Sequence, residues 1–296
     1  MAIFEGSGVA LVTPFDENDH VNFAKLEELV NYHVANHTDA IIIVGTTGEG
    51  STLTMEEHEE CIRQCVVMAD KRIKVIAGTG SNCTSDAIAL SKQAQSFGAD
   101  GILVVTPYYN KATQNGLKQH YTMIANAVDI PLIMYNVPSR TGCNIATATA
   151  AELIKNVDNI VGIKDATGDI VNAADLMYLT NGEADLYSGN DDQVVPLLSV
   201  GGIGVISVLA NIAPQETHDM VASYLAGDIN TAREIQIKAM PLIHALFSEV
   251  NPIPVKYALN AMGMNVGHLR LPMTEMEAAN AAKLVEAMNA FGIQTK

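Results

Sequence analysis

The sequence predicts a parallel (β/α)8 barrel, an α/β TIM barrel, with a small helical appendage at its C-terminal end. Three observations predict it. Eight short apolar runs rich in β-branched residues alternate with amphipathic stretches, the pattern of strands covered on both faces and joined by crossover helices. No G-x-G-x-x-G follows a strand and opens a helix, which removes the main ground for a doubly wound open sheet. The chain has 296 residues, of which 48% are hydrophobic and 17% charged, enough to fill one barrel core plus an addition.

The elements follow in order. The first run, 9–12, stops at Thr13-Pro14. The second, 40–44, meets Gly45-Thr46-Thr47-Gly48-Glu49, and the third, 75–77, meets Gly78-Thr79-Gly80. The fourth, 101–105, leads into Thr106-Pro107-Tyr108-Tyr109-Asn110, and the fifth, 131–135, into Asn136-Val137-Pro138-Ser139-Arg140. The sixth, 160–163, meets Lys164, with Thr167-Gly168 as the turn that follows. The seventh, 186–188, meets Gly189-Asn190-Asp191-Asp192, and the eighth is 204–208. Gly and Pro punctuate most of these boundaries, as turns require.

Helical periodicity covers 23–36, 55–69, 85–97, 114–127, 147–155, 170–180 and 192–200. Thr54 with Glu57 three residues later reads as a capping box. Asp19 to Asn22 and Thr84-Ser85 offer further helix-starting oxygens. The stretch 214–226 is expected to close the barrel as its eighth helix, and 229–247, 255–262 and 275–291 to form the appendage. The division is therefore a catalytic barrel, 1–226, and a helical unit, 227–296. Asn251-Pro252-Ile253-Pro254 reads as a break between helices and not as a binding loop.

The net charge is −16 and the pI about 4.7. Such an acidic surface argues against nucleic acid and against anionic membranes as partners. An anionic substrate stays open, because a local Arg or Lys outweighs a distant field. The cysteines are Cys61, Cys65, Cys83 and Cys143. Cys61 and Cys65 are a helical turn apart, but no second Cys/His pair at ligand spacing follows, so they read as small buried thiols and no metal is expected. No basic segment precedes an apolar run, and no uncharged run reaches the ~20 residues of a membrane span. A cytoplasmic, reduced protein is expected.

Barrel chemistry sits where strands end. The polar residues just past the apolar runs are Thr46, Thr47, Asn82, Tyr108, Tyr109, Tyr135, Arg140, Lys164, Gly189 and Ser207. A lysine held at a buried strand end has its charged form penalised, so its amine becomes a usable nucleophile for a carbonyl substrate. The plainer reading is a lysine whose stem reaches water. Tyr135, on the neighbouring strand, is a candidate proton shuttle, with Thr46 and Tyr109 as relay hydroxyls. Arg140 suits a carboxylate, and the 45–50 loop offers backbone N–H donors. Here too plainer readings exist: the loop as a simple turn, Tyr108-Tyr109 as interface packing, Arg140 as a surface ion pair. Asp191-Asp192 reads as a helix N-cap pair, and His58 as a solvated residue on a charged helix face.

Three motifs in this order resemble the dihydrodipicolinate synthase family of class I pyruvate-dependent lyases. They are Gly45-Thr46-Thr47-Gly48-Glu49, Tyr135-Asn136-Val137-Pro138-Ser139-Arg140-Thr141-Gly142 and Gly162-Ile163-Lys164-Asp165-Ala166-Thr167-Gly168. The resemblance runs over essentially the whole chain, including Ser188-Gly189-Asn190-Asp191-Asp192 and Gly204-Val205-Ile206-Ser207-Val208. It implies a lyase that makes 4-hydroxy-tetrahydrodipicolinate from pyruvate and L-aspartate 4-semialdehyde, for lysine and diaminopimelate biosynthesis. Lys164 would carry the Schiff base. Tyr135, Thr46 and Tyr109 would form the proton relay, with Tyr109 reaching into a neighbouring subunit. Arg140 would bind the semialdehyde carboxylate, and Thr47, Gly189 and Ile206 would contact pyruvate. The resemblance implies no metal or organic cofactor, and a homotetramer built as a dimer of dimers.

Two departures stand out. At the family's lysine-inhibition site the matching residues are Gly50, Ser51, Met55, His58, Asn82, Asp86 and Tyr108. Sensitive members usually have histidine where Met55 stands and glutamate where Asp86 stands, so weak or absent inhibition is expected. Asp165 stands where many members carry glutamate, with little consequence expected. Rival members, N-acetylneuraminate lyase and 2-keto-3-deoxy-sugar acid aldolases, usually lack the Arg140 equivalent and often read Ser-Thr at Thr46-Thr47. A non-catalytic sensor is disfavoured because every relay residue is present.

Overall fold

Eight strands pair in sequence order and the last closes on the first. They are β1 (Gly6–Ala10), β2 (Ala40–Ile43), β3 (Lys74–Gly78), β4 (Gly101–Val105), β5 (Leu132–Asn136), β6 (Ile160–Asp165), β7 (Asp185–Ser188) and β8 (Gly204–Ser207), all parallel. This computed structural model describes residues 2–296; Met1, the first residue assigned to the barrel unit, lies outside them. Helices follow the strands: α1 (Phe23–Ala35), α2 (Met55–Ala69), α3 (Thr84–Phe97), α4 (Gln114–Ala125), α5 (Pro138–Thr141), α6 (Thr147–Asn156), α7 (Ile170–Leu179), α8 (Val194–Ser199) and α9 (Pro214–Leu225). After them come α10 (Ile229–Leu246), α11 (Ile253–Ala261) and α12 (Ala278–Phe291).

The strands are apolar throughout because both faces are covered, and successive side chains alternate between two layers. Ala10, Ile42, Ile76, Leu103, Ile133 and Tyr187 fill the barrel interior. Val9, Ile41, Ile43, Val75, Ile102 and Met134 point outward into the helices. Each such side chain contributes about 1.5–3 kcal/mol on burial. At Gly162 the strands approach so closely that a Cβ would lie 1.9 Å from the Asp185 carbonyl oxygen. The α10–α12 side chains Leu242, Leu246, Val255, Leu259, Leu284 and Met288 share the apolar cluster of the outer layer, so these helices are fastened to the barrel by common packing.

Side-chain capping bonds start α1, α2, α4, α7 and α10. Thr54 and Glu57 form the reciprocal capping box of α2, and Asn22 accepts the Lys25 N–H at the start of α1. Helix α3 differs from expectation. Its cap residue, Cys83, makes no side-chain capping bond, and the Thr84 hydroxyl is taken by His120 Nδ1 at 2.9 Å. The stretch 192–200 divides into a 3-10 turn, Asp191–Gln193, and the short α8. The turn α5 escaped sequence reading; four residues are too few to show a period. No helix among the described residues is long and apolar enough to cross a membrane.

Candidate active site

Strand β6 runs two residues beyond its apolar stretch. Tyr135 pairs with Lys164 and Asn136 with Asp165 across the β5–β6 ladder, so Lys164 belongs to the strand and not to its following turn. The lysine is 7% exposed, and its Nζ lies 4.3 Å from the centre of the Tyr135 ring. Burial pulls the amine down to about 8; Asp191 opposes the fall and Arg140 adds to it. An ammonium loses hydration there without a paired carboxylate to replace it. Gly189 makes room for the stem, since a Cβ at that position would lie 3.1 Å from Lys164 Cε.

The amine opens on a cleft of about 660 Å³, floored by Ala10, Ile42 and Leu103 and walled by Thr46, Thr47, Tyr135, Arg140 and Gly189. Burial pushes the Tyr135 phenol above its ordinary value, while Arg140 and the Thr46 hydroxyl hold it down. The phenol therefore carries its proton at neutral pH and can deliver it. Thr47 is buried, and its Oγ1 accepts a hydrogen bond from Asn251 Nδ2 at 2.9 Å. Arg140 stands in the last turn of α5, exposed to the cleft, and its Nη2 donates to the Asn251 carbonyl at 3.2 Å. Its partner is thus a neutral oxygen, which leaves the guanidinium charge for an anionic group.

Not every residue expected at the site is brought to it. Tyr109 is 89% exposed, has a left-handed φ of 73°, and does not line the cleft of its own chain. Ile206 is 1% exposed in the interior layer with Ile42 and Tyr135, below the cleft wall. Asn82 and Ser207 also lie off the lining, whereas Tyr108 is on it.

Three sequence readings need correction. His58 is buried, not solvated; it lines the cleft with Nε2 3.0 Å from the Gly78 carbonyl oxygen. Helix α2 leans that face onto β3, which charge spacing along one helix does not reveal. Asp191 does not cap its own helix. Its Oδ2 accepts the Val208 and Leu209 N–H groups at 3.0 and 2.9 Å, across the barrel mouth. Burial pushes that carboxyl up, against Ser207, the two N–H groups and Lys164. Asn251, read as part of a helix break, lines the cleft and bonds both Thr47 and Arg140. Nothing local in the sequence marks Asp191 or Asn251 for these roles, because their partners are far away in the chain.

Among the described residues no three His, Cys, Asp or Glu side chains gather to hold a metal ion. Cys61 and Cys65 are buried, and burial pushes both thiols up. What the geometry provides is a largely desolvated amine, a protonated phenol beside it, and a cation at the mouth. That set can add an amine to a keto acid and pass protons to the adduct.

Comparison with known proteins agrees with this chemistry. Residues 3–291 match the Dihydrodipicolinate synthetase family. The 4-hydroxy-tetrahydrodipicolinate synthase of Lachnoclostridium phytofermentans is 58% identical over 99% of this chain and 100% of its own length. The crystal structure of dihydrodipicolinate synthase from Aquifex aeolicus superposes with a TM-score of 0.97 at 44% identity, covering 99% of this chain and 100% of that one. The chloride-inhibited dihydrodipicolinate synthase of Acinetobacter baumannii, complexed with pyruvate, gives 0.96 at 47% identity over 98% and 99% of the two chains. With a family match across nearly all of its length and the lysine, phenol and guanidinium in one cleft, the chain belongs to the dihydrodipicolinate synthetase family.

Proposed function

We propose that this protein is a lyase that condenses pyruvate with L-aspartate 4-semialdehyde to 4-hydroxy-tetrahydrodipicolinate, through an imine on Lys164. The observation that carries the reading is the Lys164 amine, buried yet open to the cleft and drawn down to about 8. Its neutral form adds to the pyruvate carbonyl carbon, and water leaves as the imine forms. Tyr135 passes protons to and from the carbinolamine, with Thr46 beside it. Loss of a methyl proton gives an enamine, whose carbon attacks the semialdehyde aldehyde. The amino group of that substrate then displaces the lysine by transimination and closes the ring.

Arg140 holds the semialdehyde carboxylate at the mouth, and Thr47 and Gly189 border the pyruvate end. Ile206 acts from the interior layer beneath the cleft, without lining it. Tyr109 completes the relay of a neighbouring copy; its exposure and its absence from its own cleft support a site shared between two copies, and the homotetramer built from tight dimers rests on family likeness alone. Met55 and Asp86 line the same cleft, and their identities, in place of the histidine and glutamate usual in sensitive members, favour weak inhibition by lysine.

A coupled assay tests the reading. Turnover is expected with pyruvate and aspartate semialdehyde and not with sialic acid; cleavage of sialic acid without use of the semialdehyde would overturn it. Millimolar lysine should leave most of the rate, and strong inhibition would refute that part alone.

A further inference from the structure

The turn that carries Thr46 and Thr47 is held from the far end of the chain. Glu49 closes that turn with a φ of 52°, a left-handed backbone that side chains rarely adopt. Its carboxylate, 2% exposed, meets Lys256 Nζ of α11 at 2.6 Å, and that lysine is 1% exposed. The same ammonium donates to the His268 carbonyl at 2.5 Å and lies 4.2 Å from the centre of the Phe15 ring. The other carboxylate oxygen accepts the Arg270 N–H at 3.0 Å.

Within the turn, the Glu49 N–H donates to the Thr46 carbonyl at 3.1 Å and the Gly50 N–H to the Gly45 carbonyl at 3.2 Å. The turn is also packed without slack. A Cβ on Gly48 would lie 2.9 Å from the Leu11 carbonyl oxygen, and one on Gly50 2.3 Å from that of Val44. A small displacement of Glu49 is therefore transmitted to Thr46 and not absorbed.

A buried ion pair is a poor source of stability, because desolvation of both charges offsets most of their attraction. Apolar side chains of similar volume would fasten α11 to the loop at least as well. What the charges add is direction, since a paired and hydrogen-bonded carboxylate tolerates few placements. We propose that the Glu49–Lys256 pair is a positioning device: it fixes the turn so that Thr46 stands against Tyr135, and so lets the C-terminal helices set the rate of proton transfer without touching substrate. This rests on the reading of Thr46 and Tyr135 as a proton relay.

The test is Glu49→Asp in the full-length protein, which keeps the charge and shortens the reach by about 1.5 Å. The expected result is a fall in kcat of about tenfold or more. Tm should drop by less than about 5 °C. Borohydride-trapped pyruvate on Lys164, at saturating pyruvate, should change less than twofold. In a Thr46→Val background the same Glu49→Asp change should cost less than twofold, because the group it misplaces is already gone. Lys256→Arg perturbs the pair from the other side and should repeat both results, which keeps the test decisive if Glu49→Asp fails to fold. An unchanged kcat in either folded variant overturns the proposal. So does a full loss that persists without the Thr46 hydroxyl. If the native protein traps no pyruvate, it is the reading of the site that has failed; if it does and Glu49→Asp keeps its kcat, the positioning role fails alone.

Discussion

Lys164 and Lys256 are 7% and 1% exposed, and each amine lies over an aromatic ring, 4.3 Å from the centre of Tyr135 and 4.2 Å from that of Phe15. Burial lowers the proton affinity of both. Their acceptors separate them. Lys256 has a carboxylate at 2.6 Å and a carbonyl at 2.5 Å. Lys164 faces a ring and an open cleft, with Asp191 acting as a charge and not as a clamp. An amine at about 8 is unprotonated in about a tenth of molecules at pH 7. Burial by itself does not make a lysine nucleophilic. Burial beside a cleft, with no partner to hold the proton, does.

The comparison breaks first on activity. Lys164→Met should remove the pyruvate adduct and lower turnover by about 10³-fold or more; retention of the native rate would end the assignment. Stability should then move in opposite directions for the same chemical change. Lys256→Met strands the Glu49 carboxylate and should cost roughly 3–5 kcal/mol in denaturant unfolding. Lys164→Met removes a buried charge and should stabilise by roughly 1–3 kcal/mol at pH 7. The sign depends on pH. Below about 8 the folded and unfolded chains both carry the Lys164 proton, and the burial cost is fully present. Between about 8 and the ordinary value of 10.5 the folded chain has released it and the unfolded chain has not, so the cost shrinks as pH rises. The advantage of Lys164→Met should therefore fade over that window; an advantage that grew with pH would contradict the account.

Smaller effects sharpen the Lys164 side. Tyr135→Phe should slow turnover by ~10²-fold as a proton donor is lost, while a change under twofold would count against the relay. Arg140→Ala should lower kcat/KM for the semialdehyde by roughly 10- to 100-fold, the scale of a lost charge-assisted pair. Pyruvate trapping should stay within a few-fold. Equal damage to both steps would reassign Arg140 to the fold.

What the sequence disclosed followed from range. Each strand carries its own apolar run, and the residues at and just past its end are the ones a barrel exposes, so Thr46, Tyr135 and Lys164 were legible one motif at a time. The boundary of β6 was not, because the ladder to Tyr135 and Asn136 extends it through Lys164 and Asp165. Asn251 acts on Thr47 across 204 positions, and Lys256 on Glu49 across 207. No local pattern encodes such pairs. Asp191 was misread for the same reason, since helix-cap chemistry is local and its true partners, Val208 and Leu209, come from the turn just past β8. Tyr109 was legible as a candidate from its place past the fourth run, but that it serves a neighbouring copy came only from family likeness, since it does not line the cleft of its own chain.

The most direct measurement is peptide mapping of borohydride-trapped pyruvate as a function of pH. The account predicts one modified lysine, Lys164, with the trapping rate rising about tenfold per pH unit and levelling off near 8, and no adduct on Lys256. Modification of Lys256, or a rate that keeps climbing to the ordinary lysine value of 10.5, would contradict it.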